Sequence, residues 1–106
     1  MTINIQSVHF DADKKLLNFV NDKVDKLSTF HDGIINCEVI LRLDKSSNTD
    51  NKIAEVKMHG KGNEFFAKKQ CVSFEEAIDL ACEALKTQLK KNKDKILELE
   101  KISAAK

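Results

Sequence analysis

One long, uninterrupted helical segment constrains the fold of this chain more than any other feature. Ser73-Phe74-Glu75-Glu76 is a capping-box pattern, in which the serine hydroxyl accepts from an amide three residues on while the glutamate reaches back. No helix breaker follows before Ser103, so the predicted helix is about 42 Å long at about 1.5 Å per residue. A chain of 106 residues forms one domain, and such a domain is only about 30–35 Å across. The C-terminal half of this helix must therefore reach or pass the edge of the domain.

Apolar residues at helical spacing predict the buried faces of two helices. The long helix has a buried stripe made of Phe74, Ile78, Ala81, Cys82, Leu85 and Leu89. An earlier helix, with Asp13 as N-cap, runs through about residue 29 and repeats apolar side chains at Leu16, Leu17, Val20, Val24 and Leu27. Gly33 then closes this unit as a turn.

In four segments apolar and polar residues alternate with period two. This pattern predicts strands over residues 2–8, 34–43, 52–59 and about 64–71. In the second strand the inward side chains are expected to be Ile35, Cys37, Val39, Leu41 and Leu43. The polar run 44–51 predicts a hairpin loop, and Gly60–Asn63 a turn. We therefore expect an α+β fold, a single β-α-β-β-β-α domain with a four-stranded sheet and both helices packed on one face. The domain spans 1–106, with a core over about 1–97 and a helix end and tail over 98–106.

Composition leaves the partner class open. The 18 basic and 17 acidic residues give a net charge of +1, and the pI of 7.7 is below the value of about 9 typical of dedicated nucleic-acid-binding domains. Neither a secretion signal nor an apolar run of the length that a membrane needs is present, so we expect a cytoplasmic protein with no membrane contact. Three cysteines without CxxC spacing, Cys37, Cys71 and Cys82, fit reduced core thiols.

Motifs for catalysis are missing from the sequence. His9, His31 and His59 are far apart and none has metal-ligand spacing with a cysteine or acid. No phosphate loop, nucleophile elbow or apolar carboxylate pair occurs. We therefore expect a protein that is not an enzyme and that needs no cofactor and no metal.

The long helix carries the one strong charge asymmetry of the chain. Against the single acid Asp94, it has five lysines within ten residues: Lys86, Lys90, Lys91, Lys93 and Lys95. Such a row is either a phosphate-facing surface or a solvated helix face with lysines near a C-terminus, and spacing alone does not decide between them. Lys23 and Lys26 of the first helix could join this surface. Phe66 is the one candidate for an exposed aromatic ring that could stack on RNA bases. An RNA-recognition sheet normally has two or three such rings, so one ring is a weak signal.

Several short runs, spread over about residues 1–97, together follow the pattern of a known family. They are Asn4-Ile5, Phe19-Val20, Lys23-x-x-Lys26-Leu27, Ala77-Ile78-Asp79, Gln88-Leu89 and Lys91-Asn92-Lys93-Asp94-Lys95. In these runs and in its predicted element order the chain resembles the ribosome hibernation promoting factor family, also called ribosome-associated inhibitor or sigma-factor modulation protein. The chain resembles the short form of that family, which lacks the C-terminal dimerisation domain.

The resemblance implies binding of the small ribosomal subunit, in the channel for mRNA and tRNA, and inhibition of translation in stationary phase. It also implies a free monomer and a separate ribosome-dimerising factor, or none. The implied contacts to 16S rRNA are Lys23, Lys26, Lys91, Lys93 and Lys95, which match basic family positions, and Lys86 and Lys90, which lie beside such positions. The chain departs from the family pattern at Leu17, Ala84 and Thr87, where relatives are basic, and at Glu75, where an aromatic is usual. These departures predict a rotated or weaker ribosomal contact.

Two other functions compete with this one. Residues 12–100 alone have the predicted order α-β-β-β-α, which is the order of a general double-stranded RNA-binding module. Such a module would bind free duplex RNA about as tightly as it binds ribosomes. Alternatively, the overhanging helix self-associates through Leu89, Ile96, Leu99 and Ile102, which makes the chain a protein-interaction module.

Overall fold

The computed structural model describes residues 1–31, 33–45 and 49–104, with the side chains described as far as Asn92. Its strands are β1 (Thr2–Val8), β2 (Ile34–Leu43), β3 (Lys52–Gly60) and β4 (Asn63–Cys71). Its helices are α1 (Lys14–Lys26), followed by a 3₁₀ turn over Leu27–Phe30, and α2 (Phe74–Ala104). The predicted order β-α-β-β-β-α is confirmed. The hairpin loop was predicted for residues 44–51, and its part over 46–48 lies outside the described residues.

The sheet has the strand order β1-β2-β3-β4 and mixes parallel and antiparallel pairs. β1 pairs with β2 in parallel, which requires a crossover, and α1 supplies it. β2, β3 and β4 form an antiparallel meander. In the turn between β3 and β4, Gly62 has φ +80°, a conformation that glycine adopts without the steric cost of a side chain.

Both helices cover one face of this sheet. The core joins Val20 and Val24 of α1 to Ile78, Leu85 and Leu89 of α2 over the inward side chains of the strands. In β3 the alternate residues Ala54, Val56 and Met58 are fully buried. The opposite face is open to water, and Phe66 lies on it with half of its surface exposed, as the alternation of β4 predicts.

The two helices run in the same direction. Leu16 and Phe19 of α1 line a groove with Phe74, at the start of α2. Further along, Lys23 of α1 pairs with Asp79 of α2. Corresponding ends of α1 and α2 therefore lie side by side.

Two local predictions were wrong. Ile35 was predicted to point into the core but is 58% exposed, because a register shift between Ile34 and Asn36 turns Ile34 inward instead. Leu89 was also assigned to a self-association surface on α2, but it is fully buried in the core of its own chain. The other apolar residues of that surface, Ile96, Leu99 and Ile102, have side chains outside the described residues.

Helix α2 is longer than the body it packs on. Its 31 residues correspond to about 46 Å at about 1.5 Å per residue, and the chain measures 58 × 23 × 18 Å along its principal axes. The overhang expected from the sequence is therefore present in the fold. No described helix has the length and apolar character needed to cross a membrane.

Candidate nucleic-acid interface

A groove of about 300 Å³ separates the C-terminal part of α1 from the middle of α2. Because the helices are parallel, the lysines in the last turn of α1 face the first lysine of the α2 row. We call this feature the lysine groove, and it is lined by Lys23, Lys26, Leu27, Thr29, Phe30, Asp79, Cys82, Glu83 and Lys86. Three of the seven lysines predicted to bind RNA, Lys23, Lys26 and Lys86, thus surround one concave surface.

The lysine groove has an internal ion pair between its two helices. Lys23 Nζ lies 2.9 Å from Asp79 Oδ1, and both side chains are partly exposed to water. The hydrogen bond to Asp79 and its negative charge raise the pKa of Lys23 above its ordinary value. Lys23 is therefore fully cationic, but its charge is already partly neutralised by Asp79.

On the other side of the lysine groove, the Phe30 ring contacts two lysines of α2. The Nζ atoms of Lys86 and Lys90 lie 5.1 Å and 5.3 Å from the centroid of the Phe30 ring. An ammonium group within about 6 Å of a ring centroid is attracted by the quadrupole of the ring. Two like charges one helical turn apart, which would otherwise repel each other, are thus held by one aromatic ring. Within the described part of the chain, neither Lys86 nor Lys90 forms an ion pair.

The remaining predicted RNA-binding lysines are placed differently. Lys26 is exposed at the edge of the lysine groove. Lys91 is also exposed, but it follows Lys86 by five residues, and at about 100° per residue it lies on another side of α2. Lys93 and Lys95 belong to α2, and their side chains lie outside the described residues.

A buried histidine, His31, forms a hydrogen bond with Asn92 of α2. His31 is 9% exposed, and its Nδ1 accepts a hydrogen bond of 3.0 Å from the backbone N–H of Gly33. The proton of the neutral ring is therefore on Nε2, which donates to Asn92 Oδ1 over 2.8 Å. The His31 ring also packs at a tilt on Phe65, with 5.7 Å between centroids. His31 therefore links α2 to β4 and to the turn that precedes β2.

Sequence patterns alone missed three of these features. The contact of Phe30 with two lysines and the Lys23–Asp79 pair were not foreseen, and His31 was noted only for its lack of metal spacing. The i, i+4 spacing of Lys86 and Lys90 does suggest a shared partner, but the identity of that partner depends on a contact across 56 residues.

The buried thiols do not form a reactive site. Burial raises the pKa of Cys37 to about 12 and that of Cys82 to about 11, so both are protonated near neutral pH. Among the residues that the structure describes, no group of three or more histidine, cysteine or acidic side chains could hold a metal ion.

A second groove, of about 550 Å³, lies at the opposite ends of the helices. We call it the acidic groove, and it is lined by Phe10, Asp11, Ala12, Asp13, Lys15, Leu16, Phe19, Phe74 and Glu75. It does not include any of the lysines that the sequence assigned to RNA binding.

Comparison with known proteins identifies the class to which this fold belongs. A family model described as "Sigma 54 modulation protein / S30EA ribosomal protein" matches residues 3–97, which is most of the chain. The chain belongs to this family, which confirms the resemblance found in the sequence.

Individual relatives agree with this assignment. The chain is 30% identical over 96 residues to a ribosome hibernation promoting factor of Klebsiella oxytoca, covering 91% of this chain and 97% of the relative. It is 32% identical over 98 residues to a protein of the same name from Azotobacter vinelandii, covering 92% and 88% of the two chains.

Solved structures share the fold. A ribosomal subunit interface protein from Coxiella burnetii superposes with a TM-score of 0.79 at 23% identity, over 89% of this chain and 99% of the other. The N-terminal domain of Protein Y from Thermus thermophilus gives a TM-score of 0.74 at 23% identity, over 86% and 98% of the two chains. These likenesses confirm the predicted β-α-β-β-β-α architecture.

Proposed function

We propose that this protein is a ribosome hibernation factor that acts by binding and not by catalysis. It binds the small ribosomal subunit through 16S rRNA, occupies the channel for mRNA and tRNA, and so blocks translation in stationary phase. Its place in the cell is then on the ribosome in the cytoplasm. Family membership and the names of the relatives support the ribosomal role.

The observation that carries the RNA-binding part is the pair of ammonium groups over Phe30. Lys86 and Lys90 have no carboxylate partner among the described residues, and the ring holds both charges at one place. Since lysine contacts to phosphate provide most of the affinity in such interfaces, a fixed pair of unneutralised lysines favours a phosphate backbone as the ligand. Lys23, Lys26, Lys91, Lys93 and Lys95 would extend the contact along both helices.

Salt dependence tests this proposal. With four phosphate contacts from the lysine groove and Lys90, the slope of log affinity against log salt is roughly −3 to −4. Raising the salt from about 100 to about 300 mM should therefore weaken binding to purified small subunits about 30- to 80-fold. Failure of the protein to sediment with small subunits even at about 100 mM salt refutes the proposal.

A matched pair of variants tests the position of the interface. We expect the double variant Lys86→Glu, Lys90→Glu to bind small subunits at least about tenfold more weakly and to inhibit translation in vitro correspondingly less. The control variant Lys45→Glu, Lys61→Glu makes the same charge change at two exposed loop lysines and should bind nearly as the natural protein does. An equal loss of affinity in both variants would show that binding depends on the total charge of the protein and not on the positions of Lys86 and Lys90, and would refute the proposed interface.

The same assay separates the competing functions. A general double-stranded RNA-binding module would be displaced from small subunits by equal concentrations of free duplex RNA, whereas a ribosome-specific factor would not. Self-association through α2 would appear as a dimer in light scattering at micromolar concentration. The burial of Leu89 in its own core argues against that second possibility.

A further inference from the structure

The acidic groove lies at the end of the molecule that the proposed RNA contact leaves free. Its floor is apolar and is formed by Phe10, Leu16, Phe19 and Phe74. Phe10 stacks on Phe74 with 4.6 Å between ring centroids and 13° between planes. Phe10, Leu16 and Phe19 remain partly accessible to water, so the floor offers unfilled apolar surface to a ligand.

The rim of the acidic groove is negatively charged. Asp11, Asp13 and Glu75 line it, against one basic residue, Lys15. The carboxylate of Asp13 also caps α1 by accepting from the amide of Leu16 over 2.8 Å. An apolar floor with three carboxylates around it is complementary to an apolar side chain flanked by cationic residues.

Distance separates the rim carboxylates from two lysines of the lysine groove, Lys26 and Lys86. The third, Lys23, lies 5.7 Å from the centroid of the Phe19 ring, where the two grooves adjoin, but its charge is paired with Asp79. Along α1, Asp13 and Lys26 are about 20 Å apart, and along α2, Glu75 and Lys86 are about 16 Å apart, at about 1.5 Å per residue. Both separations are about twice the screening length of about 8 Å at physiological salt. Lys26 and Lys86 therefore do not cancel the negative potential at the rim of the acidic groove.

We propose that the acidic groove is a docking surface for a second protein, and that it binds an extended segment with an apolar side chain flanked by arginine or lysine. The apolar side chain inserts beside Phe10 and Phe74, and the flanking cations meet Asp11 and Glu75. The surface would let the molecule contact RNA at one end and a basic protein segment at the other. The charge of the rim excludes nucleic acid as the occupant.

A defined peptide tests this docking surface without any ribosome, so the result is independent of the proposed RNA contact. The probe is the acetylated, amidated hexapeptide Arg-Arg-Leu-Phe-Arg-Arg, titrated into the isotope-labelled full-length chain and followed by amide chemical shifts. We expect saturable shifts that cluster at Phe10, Leu16, Phe19 and Glu75. The same peptide with both apolar residues replaced by serine should bind about tenfold more weakly, since the apolar contact is lost.

Charge reversal supplies the matched control. Glu75→Lys should weaken binding of the peptide about three- to fivefold, whereas Asp22→Lys, an equal charge change at an exposed residue of α1 outside the groove, should leave it unchanged. Both are surface substitutions, and the dispersion of the amide spectrum reports that each variant is folded. The proposal is overturned by the absence of saturable shifts at millimolar peptide, by shifts that map elsewhere, or by equal weakening in both variants.

Discussion

The Phe30 ring is predicted to hold Lys86 and Lys90 by an interaction that hydrophobic contact cannot replace. Each ammonium lies within 5.3 Å of the ring centroid, and a cation–π contact at an exposed site contributes about 0.5–1 kcal/mol. The two contacts together therefore stabilise the folded chain by about 1–2 kcal/mol. Phe30→Leu keeps an apolar side chain against the core and removes the aromatic quadrupole.

A double-mutant cycle isolates this interaction energy from the loss of packing. The cycle combines Phe30→Leu with Lys86→Met and Lys90→Met, which keep the apolar stems of the lysines and remove their charges. Urea unfolding followed by circular dichroism gives the free energy of unfolding for each corner. We expect Phe30→Leu to cost about 1–2 kcal/mol more when the lysines are present than when they are absent. Equal costs in the two backgrounds would refute the idea that the ring positions the charges.

Two further predictions rest on neighbouring residues. Asp79→Asn removes the carboxylate that partly neutralises Lys23. Binding to small subunits in the co-sedimentation assay should become tighter, because the full charge of Lys23 then acts on phosphate. Unchanged or weaker binding would place Lys23 outside the interface. Burial makes the thiols of Cys37 and Cys82 harder to ionise in the folded chain than in the unfolded one. Their contribution to stability is therefore complete below the ordinary thiol pKa of about 8.5 and falls as the pH rises toward about 11–12, by up to about 1.4 kcal/mol per pH unit and thiol. Unfolding experiments between pH 8 and 11 should show a shallower loss for Cys82→Ala than for the natural chain, and equal slopes would contradict this account.

The elements of the fold were predictable because their signals are local. Asp13 and Ser73 mark the starts of the two helices, and the structure shows their side-chain oxygens accepting from the amides of Leu16 and Glu76 at 2.8 and 3.2 Å. The spacing of apolar residues, about every second residue in a strand and every third or fourth in a helix, distinguishes the two elements within a short segment. The register error at Ile35 arose because a β-bulge depends on the neighbouring strand, which the sequence of β2 does not specify.

The candidate interface was predictable only in part. Charge spacing singled out the lysines of α2, and helical geometry placed Lys86 and Lys90 on one side of it. The positions of Phe30 and Asp79 relative to those lysines follow from the packing of α1 against α2, which joins residues more than fifty positions apart. No local pattern encodes that contact, so the ring beneath the ammonium groups became visible only in the folded chain.

The parallel arrangement of the helices explains how a chain of net charge +1 can present one cationic end. Acids are favoured near helix N-termini and lysines near C-termini by the helix dipole, and this chain follows that preference at Glu75 and Glu76 of α2 and at Lys23 and Lys26 of α1. In an antiparallel pair these preferences would place acids beside lysines and cancel. Here the crossover from β1 to β2 sets the direction of α1, and the meander through β4 returns the chain so that α2 runs the same way. The acids at the start of α2 and the lysines at the end of α1 therefore lie at opposite ends of the helix pair, so that a cationic end is separated from an acidic one.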